Sequence, residues 1–140
     1  AHAARAGAPI GFFRLPDEGQ AHLFLAGALR DLLERESRAS VGVIAATPEA
    51  ARRFYGVVAD QPEARLVLRG EFTFEPGIDV TDVDEAKGLE WDYVVVPDAT
   101  AAAYPATDEA RRRLHVAVTR TSHQLWLVAG GAPSPLLEKT

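Results

Sequence analysis

The sequence predicts an α/β domain in which helices flank a parallel sheet. Short apolar runs alternate with longer segments whose apolar residues recur at helical spacing. Strands and helices that alternate along a chain are typical of parallel sheets with helices on both faces. The 140 residues suit one domain, which we place at 10–132, between a linker remnant at 1–9 and a tail at 133–140.

The first half of the chain contains two strand–helix pairs. Residues 10–15 form the first predicted strand, and Asp17 is placed to cap the helix that follows. Residues 41–45 form the second strand. Thr47 followed by Pro48 is a strong helix start, because Thr caps free N–H groups and Pro fits the first helical position.

The second half of the chain adds strands and one long helix. The predicted strands are 65–68, 78–83, 93–97 and 124–129. The helix begins at Thr107, carries acids at its positive end and runs to about Arg120. The stretch from Gly70 to Gly77 fits either a short extra strand or a loop.

Composition excludes several classes of protein. The chain has no cysteine, which excludes disulfides and thiolate metal sites and fits a reducing, cytoplasmic location. Its net charge of -5 is not that of an autonomous nucleic-acid binder. No apolar run approaches the roughly 20 residues that span a membrane. The chain has no methionine and starts at Ala1, so either an initiator residue was removed or the chain is part of a longer protein. The motifs described below lead us to expect the second.

Metal and nucleophile chemistry also lack support in the sequence. No serine stands in a GxSxG motif. The four histidines have no metal-ligand spacing: His2, His22, His115 and His123.

The first segment that could carry chemistry is Asp84–Asp92, with Lys87-Gly88 at its centre. Loops at the carboxyl ends of strands form the ligand crevice of an α/β sheet. There, glycine lets the backbone approach a ligand, lysine offers a point charge to phosphate, and Glu90 could accept hydrogen bonds from a ribose. Taken alone, the pattern is more often a solvated connection with a turn glycine.

The second segment is the arginine-rich Arg111–Arg120. On a helix, Arg113 and Arg120 share one face and lie roughly 10 Å apart along the axis. An arginine at the end of such a helix can act as an arginine finger that stabilises a transferring phosphoryl group. Taken alone, the segment is more often a solvated basic face that complements Asp108 and Glu109.

Together, the two segments resemble a known family. The string AKGLEWDYVVV resembles motif V of the UvrD/Rep-type superfamily 1 helicases, and RRRLHVAVTRTSHQLWLV resembles their motif VI. The resemblance is strong over residues 78–128. It implies the second, C-terminal RecA-like motor domain of such a helicase. The alanine-rich character and the continuation WDYVVVPDA look closest to the HelD (helicase IV-like) branch.

The resemblance implies roles for five residues. Arg120 matches the arginine that contacts the γ-phosphate of ATP across the cleft between two motor domains. Glu90 matches the glutamate that contacts the ribose. Lys87 and Gly88 match the motif V loop that lines the cleft, and Arg113 matches a further motif VI arginine of the nucleotide site.

The ATP site would be incomplete in this chain. It has neither a GxxxxGK[ST] phosphate cradle nor an apolar strand that ends in paired acids. We therefore expect a first RecA-like domain to hold Mg²⁺ and most of the triphosphate. We expect no bound cofactor and no ATP hydrolysis in the isolated chain.

The chain departs from the family at three positions. Where the family commonly has Thr-x-His near the DNA, this chain has Asp82 and Asp84. Asp84 is thus the candidate for nucleic-acid contact, although carboxylates repel phosphates. His115 stands where tyrosine is common, and we expect it to be packed.

Three functions remain open at this point. The first is a helicase or translocase that binds ATP and DNA, most readily single-stranded DNA. The second is a HelD-like transcription-associated factor that acts on RNA polymerase, which the acids beside motif V favour. The third is an interaction domain without nucleotide, which the retention of Lys87, Glu90 and Arg120 disfavours.

Overall fold

The computed structural model describes residues 9–139, so the predicted linker remnant at 1–9 lies outside the described residues except for Pro9. The strands are β1 (Ile10–Leu15), β2 (Ser40–Ala45), β3 (Ala64–Leu66), β4 (Gly77–Asp82), β5 (Trp91–Val96) and β6 (Thr121–Gly130). The helices are α1 (Glu18–Arg35), α2 (Pro48–Val58), α3 (Val83–Ala86) and α4 (Asp108–Val118), and a 3₁₀ helix covers Pro135–Lys139.

The six strands form one sheet in the order β1-β6-β5-β2-β4-β3. Neighbouring strands of this sheet are parallel throughout. The α/β fold predicted from the sequence is therefore confirmed. The interior strand β4 is buried at every position, whereas edge strand β1 alternates between exposed and half-buried residues.

Helices cover both faces of the sheet. On one face, Leu25 and Leu29 of α1 and Phe54 of α2 pack in one cluster with Val43 of β2. The other face holds a second cluster, in which the α4 residues Ala110, Leu114 and Ala117 pack with Ile44 and Val94. Each helix buries one apolar stripe, as the helical spacing of its apolar residues predicts.

Three long helices are each preceded by a residue whose side chain accepts a hydrogen bond from an amide of the first turn. Asp17 Oδ1 accepts a hydrogen bond from the Gln20 amide at 2.8 Å. The Oγ1 atoms of Thr47 and Thr107 each accept one from a backbone amide at 3.1 Å. The sequence predicts the caps at Asp17 and Thr47, and it predicts a helix start at Thr107. The short α3 was not predicted, and Asp82 caps it by accepting from the Glu85 amide at 3.1 Å.

Of the two alternatives for the stretch from Gly70 to Gly77, the structure has the loop, over residues 70–76. Other details differ from the sequence prediction. Helix α4 ends at Val118, so Arg120 lies beyond it, and β6 already begins at Thr121. His115 is exposed and not packed, because it lies on the side of α4 that faces away from the sheet.

The segment predicted as a tail, 133–140, packs onto the domain in its described part. Ser134 Oγ donates a hydrogen bond to the Tyr104 carbonyl at 2.6 Å, and the side chain of Leu136 is buried. Among the described residues, no helix combines the length and the apolar character that a membrane crossing requires.

Candidate functional site

The Lys-Gly loop and Arg120 lie at the same edge of the sheet. The loop, 87–90, directly precedes β5, and Arg120 directly precedes the neighbouring strand β6. The Trp91 amide donates a hydrogen bond to the Arg120 carbonyl at 2.9 Å, and Trp91 is paired in register with Thr121. The two segments therefore meet at this edge.

This edge is the amino edge of β5 and β6. The sequence predicts that the whole segment 84–92 is a loop at a carboxyl end of the sheet, and only its first residues fit that description. Asp82 ends β4 at the carboxyl edge, and the chain then crosses through α3 to reach the amino end of β5. A crossover of this kind is required because β4 and β5 run in the same direction.

Gly88 has a positive φ of 81°, a conformation that L-residues with a side chain rarely adopt. A Cβ built at this position would meet nothing within 4 Å. The backbone conformation, and not a lack of space, therefore explains the glycine of the loop.

Lys87 and Glu90 both have exposed side chains on this loop. Lys87 Nζ lies 3.8 Å from Asp84 Oδ1, and 65% of the lysine side chain is exposed. Such an exposed pair contributes little to stability. The ammonium group can therefore leave Asp84 for a phosphate at small cost.

The guanidinium of Arg120 rests on the last turn of α4. Its Nε donates to the Val116 carbonyl at 3.1 Å, and Nη2 donates to Thr119 Oγ1 at 3.3 Å. Within the described part of the chain, no carboxylate lies within ion-pairing distance of it. The charge of Arg120 is therefore held in place without being neutralised.

Arg113 lies apart from Arg120. Its Nη2 donates to the Ala46 carbonyl just after β2, and its Nη1 donates to Asp84 Oδ1 at 3.2 Å. Arg113 thus joins α4 to α3 and to the carboxyl edge of β2. Asp84, the candidate for nucleic-acid contact, is shared between Arg113 and Lys87.

The other acids near motif V have internal roles. Asp79 is buried, and its two oxygens accept hydrogen bonds from Arg65 Nε at 2.9 Å and from Trp91 Nε1 at 3.0 Å. Asp82 caps α3 and is buried as well. These two carboxylates are occupied inside the domain, so they do not present free charge to a nucleic-acid strand.

A cavity of about 440 Å³ lies at the opposite, carboxyl edge of the sheet. Its lining includes Glu18 at the start of α1, Arg53 of α2, and Ala46, Asp98 and Gly130 at or just after the ends of strands. The cavity lies at the carboxyl edge, away from the loop and Arg120.

Asp98 lines this cavity and directly follows the predicted strand 93–97. Its Oδ2 accepts a hydrogen bond from the Ala46 amide at 3.0 Å, while its buried Oδ1 has no hydrogen-bond partner among the described residues. Burial raises the pKa of Asp98 to about 6, and the hydrogen bond from Ala46 opposes the rise. An acid directly after the apolar run YVVVP was the available signal, but the sequence does not show that its side chain turns inward.

No group of three or more His, Cys, Asp or Glu side chains in the described part of the chain could hold a metal ion. A magnesium ion at the amino edge would therefore need ligands from outside these residues.

A family model of known proteins matches the part of the chain that contains this site. Residues 77–128 match the family model of the UvrD-like helicase C-terminal domain. The matched segment begins with β4 and ends within β6, so it contains both the Lys-Gly loop and Arg120. No curated protein matches the chain.

Solved structures share the whole fold. The chain is similar to the C-terminal domain of a possible DNA helicase from Lactobacillus plantarum WCFS1, with a TM-score of 0.79 and 25% identity over 95% of this chain and 81% of that chain. It also resembles the C-terminal domain of the DEAD-box protein Dbp5, with a TM-score of 0.61 and 17% identity over 89% and 77% of the two chains. For the helicase domain of Pyrococcus furiosus Hef the TM-score is 0.52 and the identity 14%, over 79% of this chain and 26% of that chain. The fold is thus that of RecA-like helicase C-terminal domains.

Proposed function

From the match of residues 77–128 to UvrD-like helicase C-terminal domains, we propose that this chain is the C-terminal motor domain of an ATP-dependent DNA helicase or translocase. In this role it completes an ATP site whose other half belongs to a first RecA-like domain. The observation that carries the proposal is the meeting of Lys87, Glu90 and Arg120 at the amino edge of β5 and β6.

The residues present fit one half of a nucleotide site. Arg120 has an unneutralised guanidinium for the γ-phosphate, and Lys87 is exposed enough to reach a phosphate. Glu90 would accept a hydrogen bond from the ribose. The charge that develops on the transferring phosphoryl group would be stabilised by the planar set of Arg120 donors.

The other half of the site must come from the first domain. ATP supplies the phosphoanhydride bond that is cleaved, and Mg²⁺ shields its phosphates. This chain has no glycine-rich phosphate cradle, and its described residues offer no carboxylate cluster for Mg²⁺. Arg113 lies at the carboxyl edge of β2, so we propose that it acts by positioning α3 and the loop rather than by touching the nucleotide.

A second candidate function is a transcription-associated factor that acts on RNA polymerase. The exposed carboxylate of Asp84, where the family has DNA-facing polar residues, favours it, because carboxylates repel the phosphates of a strand. Stimulation of ATP hydrolysis by single-stranded DNA separates the two functions. A motor that acts on DNA shows it, and a factor that acts on RNA polymerase does not.

The test uses a protein that contains both motor domains and compares three variants. Arg120→Ala should lower ATP turnover by about 10³-fold, and Arg120→Lys should restore little, because an ammonium lacks the planar fork. Arg112→Ala removes an exposed arginine from the same segment and should leave turnover near that of the unmodified protein.

Melting temperatures of the same variants separate catalysis from stability. If Arg120 only caps α4, its removal costs at most about 1 kcal/mol of stability and leaves turnover near normal. A stable Arg120→Ala protein with undiminished turnover would rule out the arginine-finger role.

A further inference from the structure

Trp91 joins the two parts of the candidate site. Glu90 directly precedes it in the chain, and the Trp91 amide donates a hydrogen bond to the Arg120 carbonyl at 2.9 Å. The Trp91 carbonyl accepts a further hydrogen bond from Ser122 Oγ at 3.4 Å. A displacement of Trp91 would therefore move both the residue that we assign to the ribose and the backbone of Arg120.

The indole of Trp91 is anchored on a strand that lies two strands away from β5. The ring lies over Gly42 of β2, and its Nε1 donates to Asp79 Oδ2 of β4 at 3.0 Å. Phe72 packs edge-on against the ring, with centroids 5.8 Å apart. The apolar contacts favour burial of the ring without fixing its direction, whereas the hydrogen bond to Asp79 requires one direction.

Asp79 receives donors from two neighbouring directions. Arg65 Nε of β3 donates to Oδ1 at 2.9 Å, and the Trp91 indole reaches Oδ2 across β2. A carboxylate offers one acceptor oxygen to each donor. An amide of the same shape could satisfy only one of them, because its nitrogen is itself a donor.

Stability alone does not explain this buried pair. The Asp79 side chain is only 6% exposed and that of Arg65 25% exposed. Removing such charges from water costs about as much as their attraction returns, and apolar residues of similar volume often pack equally well or better. The pair does differ from an apolar packing in one respect, since it gives the Trp91 indole a fixed acceptor.

We propose that Asp79 is a positioning residue of the ATP site, which acts through the Trp91 indole on the placement of Glu90 and Arg120. The proposal rests on the proposed function and adds a residue that lies outside the nucleotide contacts. Arg65 holds Asp79, Asp79 holds the indole, and the backbone of Trp91 holds the start of β6. The Lys-Gly loop and the arginine thereby keep a constant separation.

The first test measures ATP turnover by a protein that contains both motor domains. Asp79→Asn turns a donor toward either Arg65 or Trp91, and Trp91→Phe removes the indole donor. Each variant should lower kcat by about 10–100-fold, because a displacement of about 1 Å at a reacting group costs about that much. KM should change less than kcat, since Arg120 acts on the transferring phosphoryl group.

The double variant shows whether Asp79 acts through Trp91. Residues of one hydrogen-bond network do not contribute additively. The protein with both Asp79→Asn and Trp91→Phe should therefore lose no more turnover than the more affected single variant. Val58→Ala is the control for stability, because Val58 is buried on α2 away from the site and its truncation should lower the melting temperature without changing kcat.

The second test needs no nucleotide and uses nuclear magnetic resonance of the 140-residue chain. The backbone amides of residues 87–90 and of Arg120 report the placement of the two segments. Asp79→Asn should shift these resonances, and Val58→Ala should leave them in place.

Undiminished kcat in Asp79→Asn, losses that multiply in the double variant, or unchanged amide resonances of residues 87–90 would each overturn the positioning role. If Asp79→Asn does not fold, Trp91→Phe still decides, because it keeps the pair of Asp79 with Arg65 and removes only the donor of the indole. An unmodified two-domain protein that hydrolyses no ATP would instead count against the proposed function, and the amide resonances would still decide whether Asp79 places the loop.

Discussion

Arg113 and Arg120 come from one segment of sequence but have different surroundings. Arg113 is tied to Asp84 and to the Ala46 carbonyl, so its charge is used inside the domain. The Arg120 guanidinium donates to Val116 and Thr119 at the end of α4, and no described carboxylate pairs with it, so its charge stays available. The same residue type therefore serves as a connection between elements in one case and as a candidate catalytic group in the other.

Burial of Asp98 determines whether its carboxyl group stabilises the fold at low or at high pH. Burial raises the pKa of Asp98 to about 6 in the folded chain, above its ordinary value of 3.8. A carboxyl group that binds its proton more tightly when folded stabilises the fold as the pH falls, from about pH 7 to about pH 4. Asp98→Asn should remove this contribution. The free energy of unfolding of Asp98→Asn, minus that of the unmodified chain, should be about 1–3 kcal/mol higher at pH 7.5 than at pH 4.5.

Urea unfolding at both pH values measures this difference. Asp60→Asn serves as the control, because 74% of the Asp60 side chain is exposed and its loss should not alter the pH dependence. Parallel pH curves for Asp98→Asn and the unmodified chain would contradict the assignment of a raised pKa to Asp98.

At the scale of elements, the start of β5 depends on close packing against β2. Trp91 lies over Gly42, where a Cβ would come within 2.4 Å of the indole ring. Trp91 also donates to Asp79 and packs against Phe72. The position of Trp91, and with it that of the adjoining Lys-Gly loop, is therefore set by three strands and the Phe72 loop together.

Two glycine substitutions test this packing. Gly42→Ala should destabilise the chain by about 1–3 kcal/mol, because the added methyl group overpacks the site against the Trp91 ring. Gly56→Ala on the exposed side of α2 meets nothing within 4 Å and should stabilise by up to about 1 kcal/mol. Urea unfolding measures both changes in the free energy of unfolding. A Gly42→Ala chain as stable as the unmodified one would show that the Trp91 ring can move without loss of stability.

At the scale of the whole molecule, the proposed function makes the candidate site one wall of a cleft between two domains. Lys87 and Glu90 are exposed at the amino edge, and no phosphate cradle is present in the chain. A ligand there would contact the domain on one side only. Most of the free energy of binding would have to come from the partner domain that the proposed function requires.

The isolated chain should therefore bind ATP with a dissociation constant no better than about 1 mM. Isothermal titration calorimetry with ATP and Mg²⁺ measures it. Micromolar binding by the 140-residue chain would contradict a site that is divided between two domains.

Local patterns in the sequence determined the elements and much of the candidate site. Caps such as Asp17 and Thr47 act within one helical turn, and apolar spacing of period two or 3.6 acts within one element, so both can be found without knowing the fold. The Lys-Gly and arginine segments were likewise recognisable as strings. Their meeting at one edge could be predicted because each directly precedes a strand of the same parallel sheet.

Contacts between residues far apart in the chain were decided only by the tertiary structure. The placement of β2 between β4 and β5 puts Gly42 under Trp91 and sets Phe74 on the same groove as Glu90. The same packing turns Asp98 into a buried acid and ties Arg113 to Ala46 instead of leaving it beside Arg120. No local pattern encodes these juxtapositions, because they depend on the strand order and on which helix covers each face of the sheet.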